Sequence, residues 1–326
     1  MDYLGFSIYS RTFMGDLEML RGFGIEGNPE DIEPGDVFPV LLEDVDRIVD
    51  QFPEIKDLGT VIHFCNIMGL IQSGFIIEPW KDALKGAAMK YPFVLGYHIN
   101  FDHANLPLAP GFMKTFKAEM QICTELEADA MVLHAPLFDE NKDDDWIKLM
   151  TSPGVVELMR SNDTVLCWEN AQDTIAYYRH LKHLITWREK LVKEYEKLGH
   201  DDLLKRNQFC LDTGHFLVSL QRDGAPRDEI DEYLPEFGKN VKVFHIQAND
   251  GLGDNHLIPF LPVEKYKIPR LKSLDVERFK KNSQLVVDFI NTCNENKQVD
   301  GRHVHLEVDN PMPMEEMVGF YKRYFG

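Results

Sequence analysis

The sequence predicts an α/β fold, a (β/α)8 barrel in which eight parallel strands alternate with helices and form one domain over residues 1–326. Near-continuous apolar runs recur along the chain, which is the pattern of strands covered on both faces. Segments with apolar residues at helical spacing separate these runs. The length of 326 residues exceeds that of most single domains but suits a closed α/β barrel.

The predicted strands extend from the N-terminus almost to the C-terminus. They are Leu4–Ser10, Val61–Cys65, Phe93–Ile99, Ala130–His134, Thr164–Glu169, Gln208–Asp212, Val241–Ile246 and Val304–Val308. A barrel of this kind needs about 250 residues. We therefore expect two long connections, one between the first and second strands and one, over Gly251–Arg302, between the seventh and eighth.

Helical periodicity predicts the segments between the strands. They lie near residues 41–52, 80–90, 112–126, 146–160, 174–198 and 314–324. In the first of them, Leu41, Val45, Ile48 and Phe52 recur at the spacing of one helix face. No linker, repeat or low-complexity segment interrupts the alternation, which supports one continuous domain.

One stretch, Thr60–Ile77, has no Asp, Glu, Lys or Arg, but its polar residues and glycines make it a poor membrane span. We interpret it as a strand followed by an apolar loop that suits a pocket lid or self-association into a homo-oligomer. The N-terminus has no basic region typical of a signal peptide. Five scattered cysteines without a CxxC pair fit a reducing compartment, so we expect a cytoplasmic protein.

The charge balance limits the partners of the protein. The chain has 35 Lys and Arg against 54 Asp and Glu, a formal net charge of −19. Broad binding to nucleic acid or to an anionic membrane requires a basic surface, so both are unexpected and a small-molecule substrate is favoured. A local positive site remains compatible with this charge, because bound dications can outweigh nearby carboxylates.

Residues suited to metal binding occur at the carboxyl ends of the predicted strands and in the loop after the seventh. They are His98, His134, Glu169, Asp212, His215, His245, Asp254, His256 and Glu307. Functional groups of such barrels lie at this end. One histidine at a strand end is more often a structural residue, but their joint placement favours a common site. Mixed nitrogen and oxygen donors suit Zn²⁺ or Mn²⁺ better than Mg²⁺ or Ca²⁺.

At these residues the chain resembles the xylose isomerase-like TIM barrel superfamily, which includes sugar isomerases, epimerases and nucleases of the endonuclease IV type. The resemblance covers nearly the whole chain in element order. It is carried by His98 with Asn105-Leu106, Leu133-His134, Trp168-Glu169-Asn170, Leu211-Asp212-Thr213-Gly214-His215, His245 with Asn249-Asp250, Asp254-Asn255-His256-Leu257 and Leu306-Glu307.

In the isomerase and epimerase branch, the resemblance implies one divalent cation held by Glu169, Asp212, His245 and Glu307. The two glutamates are then the catalytic residues that transfer a proton at the carbon beside a sugar carbonyl, which the cation polarises. Substrate contacts are implied for His215 and Asn249. Isomerisation or epimerisation of a small sugar or polyol is the first functional expectation.

In the endonuclease IV branch, all nine candidate residues would hold up to three cations and the substrate would be a phosphodiester at an abasic site in DNA. Every one of the nine positions has a suitable residue type. DNA binding by neutralisation of phosphates needs Lys and Arg around the site, whereas the loops expected to contact DNA, at residues 139–145 and 251–262, are acidic or apolar. This activity is therefore the second expectation, and a metal-binding barrel without turnover is the third.

Overall fold

The computed structural model describes part of the chain. The described residues are 2–9, 50, 53, 60–65, 71–72, 75–76, 86, 90, 94–99, 112–135, 142–171, 177–222, 224–225, 227–262, 274–307 and 314–325. Most residues of the predicted helices at 41–52 and 80–90, and Asn105, lie outside these ranges.

Eight parallel strands are hydrogen-bonded in a closed order. They are β1 Tyr3–Tyr9, β2 Thr60–Cys65, β3 Val94–His98, β4 Ala130–His134, β5 Val165–Glu169, β6 Asn207–Asp212, β7 Val241–Ile246 and β8 His303–Leu306. Each strand pairs with the next in the chain, and β1 pairs with both β2 and β8. The strand bounds differ from the predicted ones by one or two residues at most.

The described helices lie between and after these strands. They are α1 Phe112–Leu126, α2 Asp143–Met150, α3 Pro153–Arg160, α4 Leu181–Leu198, α5 Thr213–Gln221, α6 Leu234–Gly238, α7 Val276–Asn296 and α8 Met314–Tyr324. The predicted bounds of α1 and α8 are confirmed. The full alternation of strand and helix stays a prediction, as does the single domain, because the segments after β1 and β2 are mostly undescribed.

Two helical predictions differ from the structure, and three described helices were not predicted. The helix expected at residues 146–160 is two helices, because Pro153 begins a new helix and Ser152 before it is extended, with φ −67° and ψ 145°. The helix expected from residue 174 begins at Leu181, after a 3-10 turn at Tyr177–Arg179. The unpredicted helices are α5 and α6 between β6 and β7, and the 21-residue helix α7 between β7 and β8.

Two apolar regions pack on opposite faces of the strands. The larger core lies between the barrel and its helices, where the rings of Trp146 and Trp187 stack at a centroid distance of 3.7 Å and Trp168 meets both edge-on. The smaller cluster consists of short side chains, namely Ala130, Val132, Cys167, Cys210 and Val243. These residues alternate along their strands with members of the larger core, as strands covered on both faces require.

The apolar stretch after β2 contains a two-stranded antiparallel sheet, Ile71–Gln72 with Phe75–Ile76. The side chains of four of the five cysteines are described, and all four are buried free thiols. In the described ranges, every helix is either too short or too polar to be a membrane span.

Candidate metal centre

The strand register brings the predicted ligands to one end of the barrel. Residue Glu169, the last of β5, is level with His134 at the end of β4. Residue Asp212, the last of β6, is level with His245 on β7. Because the strands are parallel and adjacent, their terminal side chains converge at the carboxyl end, where Glu307 follows β8 directly.

Residue Glu169 is the centre of this cluster. Its Oε2 lies 3.2 Å from His98 Nε2 and 3.1 Å from His134 Nε2. Its Oε1 lies 3.1 Å from His245 Nδ1 and 3.5 Å from His215 Nδ1. One carboxylate with 1% side-chain exposure therefore contacts four imidazoles that come from β3, β4, α5 and β7.

Three overlapping groups have the compactness of metal sites; one of them joins Cys210 to Glu169 and His245, and the other two consist only of predicted ligands. The four-ligand group consists of Glu169, Asp212, His245 and Glu307, all buried, each with one donor atom within 4.8 Å of those of the others. The three-ligand group consists of His98, His134 and Glu169 and meets the same limit. Glu169 belongs to both groups, so it is placed to bridge two cations.

The remaining predicted ligands lie beside the four-ligand group. Residue Asp254 Oδ2 is 2.8 Å from His256 Nε2 and 3.6 Å from His215 Nε2. The same His215 nitrogen is 3.7 Å from Asp212 Oδ2. All nine residues singled out from the sequence are thus joined in one network, although their roles as ligands stay predictions.

The charges of the network shift its pKa values in different directions. Burial acts to raise the pKa of Glu169, but the charges of His245 and His134 outweigh it and hold this pKa well below its usual value. Burial, with the carboxylates of Glu307 and Glu169, raises the pKa of Asp212 to about 8, although His215 opposes the shift.

The imidazoles show the converse effects. Burial lowers the pKa of His134. Burial acts in the same direction on His245 and His256, but neighbouring carboxylates prevail and raise both pKa values to about 9. The network is therefore a set of buried carboxylates and imidazoles whose protonation states depend on one another.

The donor set fits a divalent cation. The ion pairs that Glu169, Asp212 and Asp254 form with described residues all involve histidine, and none involves Lys or Arg. Buried carboxylates close to one another are costly unless positive charge compensates them. Carboxylate oxygens and imidazole nitrogens are ligands that Zn²⁺ and Mn²⁺ accept. The identity of the metal stays a prediction.

Two residues that the sequence analysis did not assign hold β6 in place. Residue Asn170 donates from Nδ2 to the Asp212 carbonyl at 3.0 Å and accepts from the Asp212 N–H at 2.9 Å. The Asp212 carboxylate in turn caps α5 by accepting the His215 N–H at 2.7 Å. The second unassigned residue, Gln247, donates from Nε2 to both Asp212 carboxylate oxygens. The period-two spacing of Gln247 after His245 was the available sequence signal.

The segment 247–257, here the β7 loop, carries Asp254 and His256. The backbones of Ala248 and Leu257 pair at its base through hydrogen bonds of 2.7 and 3.3 Å. The backbone of His256 has a φ of 51°, a left-handed conformation uncommon outside glycine. A closed base and a constrained His256 indicate a loop held in one arrangement.

The predicted substrate contact of Asn249 has no support in this arrangement. Its Nδ2 donates to the Gly214 carbonyl at 3.1 Å and its Oδ1 accepts the Gly251 N–H at 2.8 Å. The residue is fully buried, so its observed role is to fix the β7 loop. The substrate contacts predicted for Asn249 and His215 stay predictions.

Comparisons with known proteins agree with the fold. No protein-family model matches the chain, and no curated protein matches it. Among solved structures, a D-tagatose 3-epimerase-like protein aligns with a TM-score of 0.56 at 12% identity, over 99% of this chain and 96% of that one. A xylose isomerase domain-containing protein from Salmonella typhimurium aligns with 0.53 at 13% identity, over 87% and 90%. Endonuclease IV from Thermus thermophilus aligns with 0.52 at 11% identity, over 99% and 98%.

The fold and the ligand groups define a parallel α/β barrel with a candidate metal centre at its carboxyl end. The structural neighbours confirm the predicted resemblance to the xylose isomerase-like TIM barrel superfamily at the level of the fold. Identities of 11–13% carry no activity or substrate to this chain.

Proposed function

We propose that the protein is a metal-dependent enzyme with more than one divalent cation in its centre and that it hydrolyses a phosphodiester. The observation that carries this proposal is the position of Glu169, whose two carboxylate oxygens face separate pairs of imidazoles. A bridging carboxylate between adjacent ligand groups is typical of hydrolytic sites with two or more metals. The proposal reverses the order expected from the sequence.

A single-cation enzyme leaves much of the network without a chemical role. Four ligands suffice for one ion, and the four-ligand group provides them. Three of the remaining histidines, namely His98, His134 and His215, contact Glu169 or Asp212 of this group. The fourth, His256, contacts Asp254. These contacts are best explained if the four histidines too bind cations.

Bound divalent cations supply positive charge that stabilises the oxygens of a phosphodiester during hydrolysis. The protein contributes the positions of the donor atoms. Glu169 orients the rings of His98 and His134 through Oε2 and that of His245 through Oε1. Asp254 orients His256 through a contact of 2.8 Å. The closed β7 loop keeps these donors in place before a substrate arrives.

Isomerisation or epimerisation of a small sugar is the second candidate, and the charge of the chain favours it. The net charge is −19, and residues 247–262 beside the centre contain no Lys or Arg. Such a surface suits a small substrate better than a long polyanion. In this scheme Glu169 and Glu307 are the proton-transfer pair of one cation.

Metal content separates the two candidates. Elemental analysis of protein purified without chelators is expected to give two or three divalent ions per chain. The hydrolase proposal also predicts cleavage of a duplex with an abasic site, or of a smaller phosphodiester, after reconstitution with Zn²⁺ or Mn²⁺. One ion per chain, with no cleavage and with solvent hydrogen exchange beside a sugar carbonyl, would establish the isomerase instead.

Paired variants test the assignment to this centre. Glu169→Gln is expected to abolish cleavage and to reduce the metal content to less than one ion per chain. Glu295→Gln makes the same chemical change on the exposed side of α7 and should leave both unchanged. His134→Ala should remove at least one ion if the site is polynuclear, whereas a single-cation enzyme would keep its ion.

A further inference from the structure

Residue Gln247 connects Asp212 of the four-ligand group to the β7 loop, although Gln247 itself belongs to neither ligand group. It is fully buried directly after β7. Its side-chain Nε2 donates to Asp212 Oδ2 at 3.1 Å and to Oδ1 at 3.3 Å. Its Oε1 accepts the backbone N–H of His256 at 3.1 Å. One amide therefore connects the end of β6 to the β7 loop.

The hydrogen-bond partners fix the orientation of this amide. A carboxylate only accepts and a backbone N–H only donates, so the Gln247 amide satisfies both in one orientation and neither in the other. The Gln247 backbone is fixed as well. Its N–H donates to Thr213 Oγ1 at 3.0 Å, and that hydroxyl donates to the Gln247 carbonyl at 2.6 Å.

The space for the Gln247 side chain depends on Gly214. A Cβ atom at Gly214 would lie 2.3 Å from Gln247 Cδ and 2.5 Å from Oε1, closer than packed atoms approach. Gly214 is the second residue of α5 and does not have a positive φ. Glycine is therefore required there to leave room for Gln247, and not for its backbone freedom.

An amide suits this position because it donates without adding charge. A Lys or Arg at residue 247 would neutralise Asp212 and compete with a cation. A Glu would place another carboxylate beside Asp212, where Glu169 and Glu307 already act on it. Glutamine satisfies one side of the Asp212 carboxylate and leaves its negative charge available to a metal.

We propose that Gln247 is the positioning residue of the metal centre. It sets the orientation of the Asp212 carboxylate and holds the β7 loop so that Asp254 and His256 stay beside the four-ligand group. Its effect on metal binding rests on the proposed metal centre. The link between Asp212 and His256 holds with or without a cation.

Three variants test this role. Gln247→Leu removes the side-chain hydrogen bonds to Asp212 and to the His256 N–H with little change in volume. Gln247→Glu keeps an acceptor for the His256 N–H and removes the donor to Asp212. Gly214→Ala keeps Gln247 in the sequence but displaces its side chain. The matched controls are Gln298→Leu at an exposed residue and Gly319→Ala in α8, where an added Cβ meets nothing within 4 Å.

The first measurement is hydrogen exchange at the His256 amide in metal-free protein, followed by NMR. We expect at least tenfold faster exchange in Gln247→Leu and Gly214→Ala, and exchange close to wild type in Gln247→Glu and both controls. The Ala248 amide, bonded to Leu257, is the internal reference for general loosening and should keep its protection. Unchanged His256 exchange in Gln247→Leu would overturn the inference.

The second measurement is the Zn²⁺ dissociation constant, from competition with a chromophoric chelator. Gln247→Leu and Gly214→Ala should each weaken binding at least tenfold, with melting temperatures near that of wild type. Full Zn²⁺ affinity in both variants would show that Gln247 does not position the ligands. A wild-type protein that binds no Zn²⁺ would contradict the proposed metal centre. If hydrogen exchange at the His256 amide still changes as expected in the variants, the link that Gln247 forms between Asp212 and His256 is supported independently of the metal.

Discussion

The two ends of the barrel differ in the partners that they give to carboxylates. At the amino end, Asp2 is 2.5 Å from Arg302 Nη2, and Asp129 is 2.8 Å from Lys242 Nζ and 2.7 Å from His303 Nε2. At the carboxyl end, the described partners of the Glu169 and Asp212 carboxylates are imidazoles, the Gln247 amide and the His215 backbone N–H. Among the described residues, Arg and Lys pair with the carboxylates at the amino end, and neither residue type pairs with Glu169 or Asp212 at the carboxyl end.

The pKa values of Asp2 and Asp212 reflect this difference in partners. Burial acts to raise the pKa of Asp2, but the bonds and charge of Arg302 lower it. At the carboxyl end, burial and neighbouring carboxylates raise the pKa of Asp212 to about 8. The charge of Asp2 at the amino end therefore stabilises the fold, whereas the charge of Asp212 at the carboxyl end opposes it until a cation binds. Stability given up at a functional site is a recurrent feature of enzymes.

The largest effect is expected at the amino end. Arg302→Met leaves Asp2 buried without its main partner and should lower the free energy of unfolding by about 3–5 kcal/mol, measured by urea denaturation. Arg278→Met removes an exposed pair with Asp275 and should cost less than about 1 kcal/mol. Similar losses in both variants would contradict the view that the amino end is the stabilising one.

The next largest effect is expected from metal binding at the carboxyl end, which should stabilise the folded protein. Zn²⁺ or Mn²⁺ at a hundred times the dissociation constant should raise the free energy of unfolding by about 2.7 kcal/mol, because it binds the folded state. Glu169→Gln should remove this gain, and the exposed Glu295→Gln should keep it. A wild-type melting temperature that does not respond to metal would count against the centre.

A smaller stabilising effect is expected from Asp212→Asn in metal-free protein. The folded pKa of Asp212, about 8, lies above its usual 3.8, so its contribution to stability is complete below pH 3.8 and is lost as pH rises through 8. The variant lacks this loss, and Asn is also a good helix cap. Between pH 5 and 9 it should gain about 1–2 kcal/mol over wild type. A constant difference across this range would refute the assignment.

The smallest effect concerns Asp129, whose side chain is 40% exposed. Partial burial acts to raise its pKa, but His303 and Lys242 lower it below the usual 3.8. Its contribution is therefore present above pH 3.8 and is lost as the pH falls further. Asp129→Asn should cost about 0.5–1 kcal/mol at pH 7 and almost nothing at pH 2, measured by denaturation. Asp288→Asn, on the exposed side of α7, is the control.

The ligand residues could be predicted from the sequence because one rule, which depends only on neighbouring residues in the chain, locates the strand ends of a parallel barrel. An apolar run that ends in His, Asp or Glu places that side chain at the carboxyl end, whatever the rest of the chain does. The rule located Glu169, Asp212 and His245, and the structure joins them. It could not show that Glu169 faces four imidazoles, because that depends on the register of β4 with β5 and on side-chain orientation.

The features that were not predicted have weak sequence signals or depend on packing between residues distant in the chain. Helix α7 begins with Asp275 as a cap for the Arg278 N–H, but it lies in a connection that was treated as irregular. The break before α3 followed from Pro153 and was overlooked within a longer periodic pattern. Gln247 has no sequence motif of its own, because its role exists only where β6 and the β7 loop meet.

The sequence by itself determined the order of strands, the end of the barrel at which the ligands lie and the chemistry of their donor atoms. These properties follow from period-two patterning and from residue type, which are local. Only the tertiary structure decided that two ligand groups share Glu169, that Asn249 fixes a loop, and that Gly214 leaves space for Gln247. Those contacts join residues distant in the chain, and their geometry is set by the closure of the barrel.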